Sequence, residues 1–226
     1  MNMDLTRKDR SSFTLIELLV VIAIISLLFV VAMPVFETFG KKDINGASTE
    51  LATTLRLARQ HAVTQRQWVF VAFPSISDGT YSSENLNKCL QGYVVMALTN
   101  ETKTVTNFVY LSSWKYLPSG VYILTNSSLT GQVFGTSFPL PFPAESDARR
   151  DMAAILFKPN GHGYKYGGAS WGDVPVSVFL TTSKFYEPNA AGNNLEERLS
   201  VPGITNRIRV RGKTGQVEID IGNMNF

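Results

Sequence analysis

One cysteine, Cys89, and two histidines, His61 and His162, are all that a chain of 226 residues offers in the way of thiol and imidazole metal ligands. A single thiol excludes an internal disulfide framework and any multi-cysteine zinc site, and two histidines leave no room for a histidine-rich metal centre. Charge is also scarce: 17% of residues are charged and 44% hydrophobic, which excludes a disordered or acidic-tail protein. The net charge is only +3, so the pI near 9.0 carries no general argument for nucleic acid. Catalytic patterns are missing as well. Cys89 has no histidine near it in sequence and reads as a small buried residue. His162 sits in the turn-rich Asn160-Gly-His-Gly-Tyr164 and reads as exposed. Tyr164-Lys-Tyr-Gly-Gly168 lacks the Gly-Lys-Ser/Thr ending of a phosphate loop, and no Asp-x-Asp-x-Asp calcium loop occurs. The chain reads as a non-enzyme with no cofactor and no metal; a membrane-anchored enzyme or carbohydrate-binding β domain would need a site that the sequence does not show.

What is present is unevenly placed. The mean hydropathy of +0.02 hides one apolar run, Phe13 to Phe36. As a helix at about 1.5 Å per residue it spans ~36 Å, enough for a hydrocarbon core of about 30 Å. Arg7, Lys8 and Arg10 precede it, against Asp4 and Asp9, which favours a cytoplasmic leader. Taken alone, such a run fits a permanent signal anchor or a secretory signal cut after Ala32. Two residues set it apart. Glu17 is a carboxylate inside the run, where burial in lipid costs about 2.5–3.5 kcal/mol unless it is partnered. Pro34 lacks a backbone donor and predicts a bend or local opening.

Ser12-Phe13-Thr-Leu-Ile-Glu17 followed by the apolar run resembles the class III signal of type IV pilins and type II secretion pseudopilins. The resemblance implies cleavage between Ser12 and Phe13 by a prepilin peptidase and N-methylation of Phe13. Glu17 and Pro34 fall where that family usually has Glu and Pro; Ser12 stands where it usually has Gly. Cleavage would create a positive amine at Phe13, with Glu17 at i+4 on the same helix face. In a filament, Glu17 of one subunit would neutralise the amine of a neighbour and so fix the axial register.

Beyond Pro34, Ala47, Leu51, Leu55, Ala58 and Ala62 recur at helical spacing and predict an amphipathic second half of the stem. Gly40 and Gly46 suggest a weak point between the halves, and Arg56, Arg59 and Arg66 read as a solvated face. From about Gln65 the pattern changes to short β-branched and aromatic runs: Trp68–Phe73, Tyr93–Leu98, Val105–Leu111, Val121–Leu124, Ala153–Phe157, Val174–Thr182, Arg207–Arg211 and Gln216–Ile221. No helical pattern alternates with them, so the fold class is α+β with an antiparallel sheet. Pro139–Pro143 and Glu187–Gly203 read as loops. The expected organisation is a leader over 1–12, a transmembrane and assembly helix over 13–36, an amphipathic half over 37–66 and a periplasmic β domain over 67–226.

Several pieces of the second part are similar to H-type pseudopilins and FimT-like minor pilins. These are Leu55-Arg-Leu-Ala58-Arg59-Gln-His-Ala62, Leu117-Pro118-Ser-Gly120-Val121, Phe157-Lys-Pro159-Asn-Gly161, and the closing hairpin Arg207-Ile-Arg-Val-Arg-Gly-Lys-Thr-Gly215-Gln-Val217. The resemblance implies a pilin-like fold, with the long helix packed on the sheet. It also implies a minor pseudopilin or minor pilin, anchored in the bacterial inner membrane, that joins other pilin or pseudopilin subunits and helps to prime a filament for protein export. The alternative is a FimT-like minor pilin that binds DNA during uptake. It rests on Arg207, Arg209, Arg211 and Lys213, where strand alternation places the three arginines on one face and Ile208 and Val210 on the other.

Overall fold

The structure, a computed structural model, describes residues 15–74, 83–101, 106–125, 131–134, 137–166, 171–182, 184–188, 195–200 and 203–222, without the side chains of residues 27–43, 83, 84, 87, 100, 101, 106, 171, 184, 185, 187, 188 and 196–200. The expected cleavage site, Ser12 and Phe13, lies outside the described residues, as does the side chain of Pro34. One helix, α1, runs from Leu15 to Gln65. A short 3₁₀ turn covers Ser83–Lys88. The strands in chain order are β1 (Trp68–Phe73), β2 (Gly92–Glu101), β3 (Thr106–Tyr110), β4 (Lys115–Tyr116), β5 (Tyr122–Ile123), β6 (Phe138–Pro141) and β7 (Arg149–Phe157). There follow β8 (Gly163–Tyr166), β9 (Trp171–Gly172), β10 (Val176–Thr181), β11 (Lys184–Pro188), β12 (Leu195–Ser200), β13 (Thr205–Val210) and β14 (Val217–Asp220). The class is α+β, and every pairing between these strands is antiparallel.

By its contacts the chain divides into two units, Met1–Gly40 and Lys41–Phe226. In the first, the apolar side chains from Leu15 to Ile25 are exposed, Ile16 by 70%. Among the described residues, no helix is long and apolar enough to cross a membrane. The apolar run of the sequence continues into residues 27–36, whose side chains are not described.

In the second unit, the expected helix face is buried. Ile44, Ala47, Leu51, Ala52, Leu55, Ala58 and Ala62 join the same core as β1, β2, β7, β10 and β13. The helix assignment runs through Gly40 and Gly46, where the sequence suggested a weak point. A glycine costs a helix only about 1 kcal/mol, less than burying two or three aliphatic side chains contributes. The main sheet has the order β3-β2-β1-β7-β8-β9, with β4 on β2 and β6 on β7. Its centre is continuous rather than alternating: Val69 to Phe73 are all buried, as are Tyr93 to Leu98. A second sheet, β14-β13-β10-β5, carries the C-terminal hairpin.

Two expected loops contain strands. Pro139–Pro141 belongs to β6, which among the described residues pairs only with β7; an edge strand tolerates prolines because their missing N–H groups need not serve a second neighbour. The Glu187–Gly203 region contains β12, paired with β11 in a ribbon of its own. Leu195-Glu-Glu-Arg-Leu-Ser200 is too polar to be recognised as a strand from its side chains; backbone pairing with β11 and the burial of Leu195 in the core hold it.

Candidate functional site

Two regions carry the residues singled out by sequence. Glu17 lies on α1, as the third of its described residues.

The second region is the hairpin of β13 and β14. Arg207, Arg209 and Arg211 project from one face, while Asn206, Ile208 and Val210 are buried on the other. Registration places Arg207 opposite Asp220 and Arg209 opposite Glu218. Arg207 donates from Nε to Asp220 Oδ2 at 2.8 Å, and Arg211 from Nε to Glu218 Oε1 at 2.8 Å. Arg209 and Lys213 make no hydrogen bond or ion pair among the described residues. The stripe is thus a mixed-charge surface, because β14 supplies acids that the segment from Arg198 to Lys213 lacks.

The turn joining the strands is held tightly. Gly215 has φ +61° and donates to Arg211 O at 2.7 Å; a Cβ there would collide with the carbonyl oxygen of Gly161. A Cβ on Gly212 would fall on the carbonyl oxygen of Asp173, so that segment lies directly against the turn. Between the hairpin face and residues 173–175 runs an open groove of about 800 Å³. Lys165, Asp173, Val174, Arg207, Arg209 and Lys213 line it. Lys165 donates to the carbonyl oxygen of Gln132, and burial lowers the pKa of its ammonium group. His162 Nδ1 stands 4.0 Å from Asp173 at the back of this segment. Among the described residues, no cluster of three His, Cys, Asp or Glu side chains is placed to hold a metal ion.

Other residues take roles that sequence reading did not assign. Arg56 is exposed, as expected of a solvated face, and Arg59 is half-buried, but both also reach a carbonyl far along the chain. Arg56 donates to Val217 O at 3.1 Å and Arg59 to Gly161 O at 2.9 Å. Asn206, fully buried, donates to Asn45 Oδ1 at 2.9 Å and Ser48 Oγ at 3.0 Å, so a polar contact joins β13 to α1 inside the core. Strand alternation was the available signal for it, since Asn206 shares a face with Ile208 and Val210.

Comparison with known proteins gives two matches. The prokaryotic N-terminal methylation motif matches residues 7–33, and the type II transport protein GspH matches residues 47–174. None of the curated proteins and none of the solved structures matches the chain. The first match covers Phe13, Glu17 and the start of α1; the second spans the buried helix face and the strands from β1 to β9. With a methylation motif ahead of a GspH domain over more than half its length, the chain belongs to the GspH family of type II secretion pseudopilins and minor pilins.

Proposed function

We propose that the chain is a minor subunit used in few copies to prime a filament for protein export. Family membership already implies processing by a prepilin peptidase, assembly with other pilin-type subunits, and a periplasmic domain anchored in the inner membrane. The finer reading assigns residues 1–12 to the leader, 13–36 to the membrane and assembly helix, 37–66 to the stem, and 67–226 to the periplasmic domain. The observation that supports it is the match of residues 7–33, which include Phe13 and Glu17, to the N-terminal methylation motif. A new amine at Phe13 and a carboxylate at i+4 offer opposite charges that a low-dielectric helix bundle would pair between subunits. A lone charge there is costly, so the paired register is preferred.

The mass of the mature N-terminus tests this. A chain beginning at N-methylated Phe13 supports it, whereas an intact Met1 or a start at Met33 overturns it. Glu17→Ala should still insert in the membrane but be recruited poorly into filaments; normal recruitment would remove the register argument. The DNA-uptake reading rests on the hairpin arginines. With acids of β14 engaging two of the three, the export reading is preferred. Salt-dependent binding of the full-length protein to duplex DNA is the measurement that would restore it.

A further inference from the structure

We infer that the groove between the β13–β14 hairpin and residues 173–175 is a docking site for an extended acidic peptide segment that carries apolar residues, contributed by a partner protein. Charge complementarity comes first. Lys165, Arg207, Arg209, Arg211 and Lys213 line the groove with one carboxylate, Asp173. The acids on β14 hold Arg207 and Arg211 from the side, and Arg209 and Lys213 are left to meet a ligand. A guanidinium held by a neighbour keeps spare donors in a fixed direction, and fixed donors lose less entropy on binding a carboxylate.

The shape and the apolar wall choose between partners. Val174 is 51% exposed on the groove wall beside Pro175, an apolar surface that a phosphate backbone would leave uncovered. A peptide with alternating acidic and aliphatic side chains covers it while presenting carboxylates to Arg209 and Lys213. Single-stranded nucleic acid needs aromatic platforms for its bases, and no aromatic side chain is among the described residues lining the groove. A duplex is read by an element that projects into its grooves, whereas this surface is itself an open groove. This inference goes beyond the filament reading and does not depend on Glu17 or Phe13.

The test uses the full-length protein in detergent micelles and a short fluorescent peptide that alternates glutamate and valine, read by anisotropy. Binding should weaken with salt. The same peptide with glutamine in place of glutamate should bind at least about tenfold more weakly. Arg209→Ala and Lys213→Ala should each weaken binding by about three- to tenfold. Both positions lie away from the core and leave the turn glycines in place. Val174→Ser should weaken the glutamate–valine peptide more than a glutamate–serine peptide. No peptide binding at low salt, binding indifferent to Arg209 and Lys213, or tighter binding of duplex DNA through those residues would overturn the proposal. Correct processing at Phe13 with no peptide binding would remove this inference and leave the filament reading standing.

Discussion

At the scale of single residues, the chain's polar side chains are informative where they are buried. Asn206 has no exposure and gives both amide hydrogens to α1, to Asn45 and Ser48. Removing such a donor strands the buried Ser48 hydroxyl oxygen, which costs about 1–3 kcal/mol. Asn206→Ala should therefore lower the stability of the full-length protein by about that amount in a denaturant titration. A loss below about 0.5 kcal/mol would show that the contact is not formed in solution. Sequence pattern placed the neighbouring arginines on the outer face correctly, because alternation is a backbone property. It did not supply their acid partners: Asp220 and Glu218 meet Arg207 and Arg211 only after the hairpin register is set. The same holds for Arg56 and Arg59, whose acceptors are 161 and 102 residues away.

At the scale of elements, periodicity was the strongest guide. The spacing of Ala47, Leu51, Leu55, Ala58 and Ala62 identified the buried face of α1, and all five are at most 3% exposed. Leu55 and Leu57 make the contrast testable, one fully buried and the other 58% exposed on the same helix. Leu55→Ala should cost about 2–5 kcal/mol through lost burial and a cavity against the sheet. Leu57→Ala should change stability by no more than about 0.5 kcal/mol. Similar losses at the two positions, measured by chemical denaturation, would contradict the facing of the helix. Strands rich in aliphatic and aromatic residues were legible for the same reason: β1 and β10 are buried along nearly their whole length. The strands that escaped notice are β4, β6, β8, β9, β11 and β12. They are two to six residues long, or polar, or interrupted by proline, and backbone pairing gives them order that side-chain hydrophobicity does not advertise. The groove was not legible either, since Lys165, residues 173–175 and β13 are brought together only by the pairing of separate strands.

At the scale of the whole molecule, a domain with a single unpaired cysteine relies on packing alone, and its packing has a consequence for pH. Cys89 is a free thiol, 1% exposed. Burial pushes its pKa from 9.0 up to about 12, against a smaller opposing pull from Lys88. Burial likewise raises Tyr93 from 10.0 to about 12, with the Glu50 carboxylate adding to the rise and Thr54 opposing it. Tyr110 is raised too, by burial and then by Asp147 and Glu145. The sign follows from proton counting. Between the unfolded and folded pKa values the native chain binds more protons than the unfolded chain, so stability falls as pH rises through that window. The contribution is complete below about pH 9, where Cys89 is protonated in both states. Denaturation midpoints should therefore stay level from about pH 7 to 9 and fall beyond it, before the phenols titrate. Cys89→Ala isolates one share: the variant should start lower at neutral pH because of its smaller side chain, and then lose stability less steeply above about pH 9. The thiol should also react slowly with alkylating reagents in the native state and quickly in denaturant, because the thiolate is the reactive form. Parallel slopes for the two proteins, or rapid alkylation without denaturant, would mean that the core around the 3₁₀ turn opens in solution and that packing alone does not close this end of the domain.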